Sequence, residues 1–366
     1  MKKHNESNER LKREYFAYLK EARSHSEQTI DAVALAISRF ETHTKFRDFK
    51  SFHQEQAIAF KRNLADQLSQ RSSGKLSKST VRATLAALRA FFLWLAGRPG
   101  FRSRLAYADA DYFNPSDRDT RIALATRPRA VPSLEQVGHV LASMPEHSIL
   151  ERRDRALVAF ILMTGCRVRA AVTLKLKHVD MTLGRVFQDA REVHTKRGKS
   201  ITTYFFPVGE LPLRIVTEWM TELQTLQLWG PDDPLFPATL VKQDDNAAFY
   251  AAGVKRRHWS NADPVRRIFL AAFTSADLPY FHPHSLRHLL GQLGQRQCRT
   301  PEEMKAWSQN LAHDQVLTTF TSYGHIEEHR QGEIIQDLSR SSELGGGDRR
   351  DLDEIRRIAI RIATRT

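Results

Sequence analysis

Residues 185–206 read RVFQDAREVHTKRGKSITTYFF, and this stretch decides the fold class because its apolar residues do not follow a helical period. Arg185 to Gln188, Glu192 to Thr195 and Thr202 to Phe206 are short runs rich in β-branched or aromatic residues. Gly184 precedes them and Arg197-Gly198 interrupts them. Runs of that kind bounded by turn residues predict a small antiparallel sheet.

Upstream of this stretch the period is helical. Leu11, Tyr15 and Leu19 share one face, and Ser26 stands as an N-cap before Ile30, Val33, Ile37 and Phe40. A third helix is expected over 51–70, before the Ser-Ser-Gly turn at 72–74. Val81, Leu85, Leu88, Phe92 and Leu95 alternate steps of four and three, which makes a continuous buried stripe until Gly97 and Pro99 stop it. Downstream, Ser133 caps a helix with Glu135 in its first turn, and Arg155 to Met163 is dense enough for a core helix. Helices resume over Leu213 to Trp229, Pro264 to Thr274 and His284 to Gln297. Thr300-Pro301-Glu302-Glu303 forms a capping box for the helix continuing through Lys305 to Gln309, and a short helix is expected over Gln315 to Ser322. The fold class is therefore mainly α with a small antiparallel β-sheet.

Residues 107–132 are polar, carry Pro115, Pro128 and Pro132, and show little periodicity, which predicts a linker. The expected organisation is a helical domain over 1–106, the linker over 107–132, an α+β domain over 133–344 and a glycine-linked amphipathic helix over 345–366. In that last segment Leu352, Ile355, Ala359 and Ile362 form an apolar stripe. A detached helix of this size is marginal alone, so it docks either on a neighbouring copy or on its own domain.

The 366 residues carry 56 Lys plus Arg against 42 Asp plus Glu, a net charge of +14. So basic a chain points to an anionic partner, nucleic acid first. Two cysteines, Cys166 and Cys298, exclude a disulfide scaffold and leave no cysteine-based zinc spacing. The first fourteen residues have no apolar core of a signal peptide, and no eighteen apolar residues run together. The expectation is a cytoplasmic protein that works on DNA. Lys78, Arg82 and Arg89 lie off the buried stripe of their helix, either as a track for a DNA backbone or as a solvated charged face.

Five pieces carry possible chemistry: Thr164-Gly165-Cys166-Arg167 at a helix end, His194 to Lys199 in the hairpin, His284-Ser285-Leu286-Arg287-His288, Leu311-Ala312-His313, and Thr318 to Gly324 around Tyr323. Singly, each has an ordinary structural explanation. Their order, with Tyr323 ten residues after His313, resembles the catalytic domain of the tyrosine-recombinase (phage-integrase) family, as do the strings LMTGCRV, TKRGKS, HPHSLRH and WSQNLAHDQVLTTFTSYG. The resemblance covers about Ser133 to Asp337, and the front helices fit the family's core-binding domain by pattern and position.

The resemblance implies a site-specific recombinase that cleaves and rejoins DNA through a 3′-phosphotyrosine on Tyr323, without ATP, metal or other cofactor and with no small-molecule substrate. Arg167 and Arg287 would hold the scissile phosphate, since guanidinium forks match its oxygens. His284 and His313 would add hydrogen bonds, and His284 would also handle the tyrosine proton. Lys196 would protonate the leaving 5′ oxygen, with Lys199, farther from the hairpin end, as its rival. The sequence departs from the family at Ala170, where an acidic residue is frequent, and at Ala312, where glycine is frequent. Recombination implies four protomers on two DNA sites and the integration or excision of a mobile element. Two other readings stay open: a DNA-binding regulator without catalysis, and a type IB topoisomerase, which would relax plasmids lacking any cognate site.

Overall fold

The structure, a computed structural model, describes residues 4–69, 74–125 and 130–313. Tyr323, the helix expected over Gln315 to Ser322 and the segment from Gly345 onward lie outside the described residues. The chain divides into two compact units, Met1–Arg127 and Pro128–Thr366.

In the first unit, α1 (Glu6–Ala17), α2 (Glu27–His43), α3 (Gln54–Asp66) and α4 (Lys78–Ala96) follow the periodic stretches. Asn5, Ser26 and Ser77 cap α1, α2 and α4, each side chain accepting from a backbone N–H of the first turn. The α3 helix is shorter than its sequence suggested: Phe49–Ser51 forms a separate 3-10 turn, and the backbone becomes extended at Gln67, whose carbonyl accepts from Leu76 N. All five stripe residues of α4 are buried, and Phe91 joins them. They pack into an aromatic core in which Phe40 meets Phe60 and Phe92 edge-on at 5.3 and 5.4 Å between ring centres. Among the described residues α4 alone is long and apolar enough to cross a membrane, but its apolar face is spent on this core.

The linker expected over 107–132 requires correction. Tyr107–Phe113 is a 3-10 helix and α5 spans Asp117–Leu124 behind the cap of Ser116. Ala110 and Phe113 are fully buried, and the Phe113 ring stacks 5.0 Å from Phe92. The segment is polar because only these two residues face the core and α5 buries none.

The second unit comprises α6 (Leu134–Ser143), α7 (Ile149–Thr164), α8 (Val168–Ala171), β1 (Val179–Asp180), β2 (Arg185–Gln188), β3 (Ile201–Tyr204), α9 (Glu210–Thr225), β4 (Ala238–Gln243), β5 (Phe249–Lys255), α10 (Asp263–Ser275), α11 (His284–Gln297) and α12 (Pro301–Asn310). Every residue of α7 from Ala156 to Thr164 is buried, so this helix is the centre of the unit. The three-stranded sheet has the order β1-β2-β3, with Val186 opposite both Val179 and Thr203. A strand was expected at Glu192 to Thr195, but these residues form a turn, with Glu192 N and Val193 N donating to Asp189 O, and β1 supplies the third strand instead. The β4–β5 hairpin was not anticipated, although β-branched and aromatic residues flank Asp244-Asp245-Asn246.

The α11 and α12 helices meet at Gly294. A Cβ there would lie 2.6 Å from the Trp307 indole, which is held by its Nε1–H donating to Leu290 O at 2.9 Å. Gly→Ala inside a helix ordinarily stabilises by about 1 kcal/mol. Here the sign should reverse. Gly294→Ala is expected to destabilise by roughly 1–3 kcal/mol through overpacking in thermal unfolding, and combining it with Trp307→Leu should recover part of that loss.

Candidate active site

The site begins where α7 ends. Gly165 takes a left-handed conformation at φ 59°, and a Cβ there would meet Leu290 at 3.0 Å and Leu311 at 3.1 Å. Both backbone angle and space therefore select glycine. The turn sets Arg167, half-buried, as the N-cap residue of α8, with its carbonyl accepting from Ala170 N and Ala171 N.

Arg287 comes from the first turn of α11 and is only 3% exposed. Its Nη1 donates to Gly165 O at 2.5 Å, its Nη2 donates to Leu311 O, and Nη2 lies 3.4 Å from His313 Nε2. Its Nε has no hydrogen-bond partner among the described residues. Leu311 is fully buried, Ala312 is left-handed at φ 52°, and the chain thereby turns so that His313 reaches the same place as Arg167.

Arg167 and His313 line one open cleft of about 580 Å³ together with Lys196, Arg197, Lys199 and Gln309. Among its described lining residues there is no carboxylate. Such a concentration of fixed cations and imidazole attracts phosphate and stabilises charge developing on it. The lysines reach it from a turn at Lys196–Gly198, where Arg197 and Gly198 both have positive φ. Arg197 and Gln309 were not singled out in the sequence, although Arg197 sits inside the quoted hairpin string. Lys196 and Lys199 both line the cleft, so this geometry does not choose between them.

His284 stands apart from that cleft. It opens α11 and lines a smaller cavity of about 250 Å³ with Tyr280, His282, Ser285 and His288, its ring perpendicular to that of His288 at 5.0 Å. Desolvation, and then the positive charge of Arg287 with further contributions from His288 and Arg167, pushes its pKa from 6.5 down to about 4. It is therefore neutral at physiological pH and a weaker base than a free imidazole. Ala170 is buried at 1% exposure, so a methyl group in the core takes the position of the family's frequent acid.

The three front-unit cations have a separate setting. Lys78 pairs with Asp119 at 2.7 Å, and Arg89 pairs with Asp111 through Nε at 3.0 Å and Nη2 at 2.7 Å, while Arg82 is exposed. Two of the three are thus matched by acids from the segment read as a linker.

Residues 134–330 match the phage integrase family, and residues 13–98 match the phage integrase N-terminal SAM-like domain. The chain is similar to tyrosine recombinase XerC of Lactobacillus delbrueckii subsp. bulgaricus, 24% identical over 344 residues, covering 90% of this chain and 99% of that one. It is likewise similar to tyrosine recombinase XerC of Halalkalibacterium halodurans, 24% identical over 329 residues, covering 88% and 94%. Its fold is similar to a lambda integrase dimer bound to a COC' core site, with TM-score 0.60, 13% identity and coverage of 87% and 96%. It also resembles XerH site-specific recombinase bound to difH substrate, with TM-score 0.53, 17% identity and coverage of 90% and 84%.

The depressed His284 pKa has a measurable sign. Below the unfolded value near 6.5 the unfolded chain takes up a proton that native His284 refuses until about pH 4. NMR titration should give His284 a midpoint near 4. Stability should decline from about pH 6.5 towards 4, with a shallower decline in His284→Asn; a midpoint near 6.5 would remove the desolvated setting described here.

Proposed function

The chain belongs to the phage integrase family and is a tyrosine-type site-specific DNA recombinase, and from that premise we propose that it cleaves and rejoins double-stranded DNA through a covalent 3′-phosphotyrosine on Tyr323. The observation that carries this reading is the cleft in which Arg167, His313 and the lysines of the β2–β3 loop gather without a carboxylate.

The Tyr323 oxygen attacks the scissile phosphorus, the tyrosine proton passes to solvent in the open cleft, and the phosphorus–O5′ bond breaks. Lys196 gives a proton to the departing O5′, which leaves as a free hydroxyl. Arg167, Arg287 and His313 stabilise the extra negative charge of the five-coordinate transition state more than the ground state. Two of the five Arg287 donors hold backbone carbonyls, and its Nε, without a hydrogen-bond partner among the described residues, is one of those that remain for a phosphate oxygen. A phosphodiester is exchanged for another, so the step requires no ATP. Rejoining to a second strand calls for four protomers on two DNA sites, and the biological setting is integration or excision of a mobile element in the cytoplasm. Lys78, Arg82 and Arg89 contact the DNA backbone, with phosphates replacing Asp119 and Asp111.

A suicide substrate carrying the core site should trap an adduct on Tyr323 that is lost in Tyr323→Phe while DNA binding survives. Arg167→Ala should slow cleavage by about a hundredfold or more with a much smaller effect on binding. An adduct persisting in the phenylalanine variant would displace Tyr323 as the nucleophile.

The two lysines separate on DNA whose bridging 5′ oxygen is replaced by sulfur, because a thiolate leaves without a proton. Lys196→Ala should be slow on ordinary DNA and recover on the sulfur substrate, while Lys199→Ala should lose far less and gain nothing from sulfur. The reverse pattern would move the acid to Lys199.

A further inference from the structure

We propose that Asn310 is a positioning residue, which fixes the loop bearing Lys196 and Lys199 against the turn bearing His313. This inference rests on the reading of the cleft given above. The lysine loop and the His313 turn come from distant parts of the chain: Tyr204 and Asn310 are 106 residues apart in sequence. Nothing in the covalent backbone sets their separation.

Asn310 bridges them with its side-chain carboxamide. Tyr204 N donates to Asn310 Oδ1 at 2.7 Å, and Asn310 Nδ2 donates to Tyr204 O at 2.9 Å. β3 is an outer strand of its sheet, so both peptide groups of Tyr204 are met off the open edge. A primary carboxamide presents one acceptor and one donor side by side, as a peptide on a neighbouring strand would. Asn310 thus takes the place of a fourth strand at one residue pair. The main chain adds to the contact, since Thr203 Oγ1 donates to Asn310 O at 3.2 Å.

The position in the chain gives this bracket its consequence. Asn310 is the last residue of α12, and the next three are Leu311, whose carbonyl accepts from Arg287, left-handed Ala312, and His313. On the other side, β3 runs back through Ser200 and Lys199 directly into the Lys196–Gly198 turn. The hydrogen-bonded line continues inward, as Gln188 Nε2 donates to Thr203 Oγ1 at 3.5 Å and Cys166 Sγ lies 3.7 Å from Gln188 Oε1, beside Arg167. Asn310 therefore holds the lysine-bearing wall of the cleft in register with the turn that bears His313, while its carboxamide hydrogen-bonds to backbone groups of Tyr204. A shift of about 1 Å in such a setting costs on the order of a hundredfold in rate.

The test uses the full chain with Asn310→Ala, ordinary core-site DNA, and the same DNA with a bridging 5′ sulfur. Cleavage of ordinary DNA should fall about 10- to 100-fold while the dissociation constant for DNA stays within about twofold. On the sulfur substrate the deficit should shrink to within about threefold, because the lysine proton is no longer needed. Amide exchange at Tyr204 should accelerate in the variant, a readout that does not depend on activity. An equal deficit on both substrates, or cleavage at the wild-type rate, would overturn the proposal. So would unchanged exchange at Tyr204. If the wild-type chain cleaves neither substrate, the strand-transfer reading fails instead, and the exchange measurement still decides whether Asn310 holds β3.

Discussion

The buried guanidinium of Arg287 is the constraint on which the site depends. A charge at 3% exposure is costly to desolvate and persists only where its donors find partners. Two of them find the carbonyls of Gly165 and Leu311, which are the turns that end α7 and α12. Those turns deliver Arg167 and His313. A planar fork can hold two carbonyls at a fixed separation, whereas a lysine ammonium at the same place would hold them as a point charge without direction. Gly165 completes the arrangement, because any Cβ would intrude on Leu290 and Leu311 at the point where the turns approach.

Much of this was legible in the sequence, and the reasons differ by element. The α4 stripe was readable because five apolar residues at steps of three and four admit no competing period. Ser26, Ser133 and Thr300 were readable as caps because their side-chain chemistry acts within one turn of the chain. Residues 107–124 misled because burial there rests on Ala110 and Phe113 alone, too few for a periodic signal. Glu192 to Thr195 carries strand-like residues but folds as a turn closed on Asp189 O, and the Glu192 side chain pairs with Lys175 and Lys177, partners that local composition does not reveal. At the site, the order of motifs pointed to the groups, and the structure brings Arg167, His313 and Lys196 to one cleft. The sequence held no sign that His284 would line a different cavity, nor that Asn310 would meet Tyr204, because both depend on contacts between residues far apart in the chain.

The net charge of +14 is distributed unevenly. In the front unit, Lys78 and Arg89 face Asp119 and Asp111 at partly exposed positions. Exposed pairs of this kind contribute about 0–1 kcal/mol. Exchanging the aspartate for a phosphate, as the proposed DNA contact requires, would therefore be close to neutral. In the cleft, by contrast, Arg167, Lys196, Arg197 and Lys199 share no lining carboxylate. Their mutual repulsion favours an anion there, and Arg167, after burial and the charges of Arg287 and His288, also helps keep His284 deprotonated.

The loop that carries the lysines combines a fixed base with an exposed tip. At the base, Arg191 beside Asp189 holds that carboxyl down to about 2, and Lys175 and Lys177 hold Glu192 down to about 2. His194 N donates to Thr173 Oγ1 at 3.0 Å, and Ala190 N donates to Ser200 Oγ at 3.1 Å, which closes the base across its two strands. Beyond these contacts Lys196 to Lys199 is exposed. With the base held, the lysine of the proposed mechanism would reach a leaving oxygen by extending its side chain, not by refolding the backbone. The cost is then rotamer entropy, about 2 kcal/mol or less, which phosphate binding in the cleft offsets. Under the proposed mechanism, ordering of the lysine would be coupled to the presence of DNA, and the proton would be delivered where the scissile phosphate is already held.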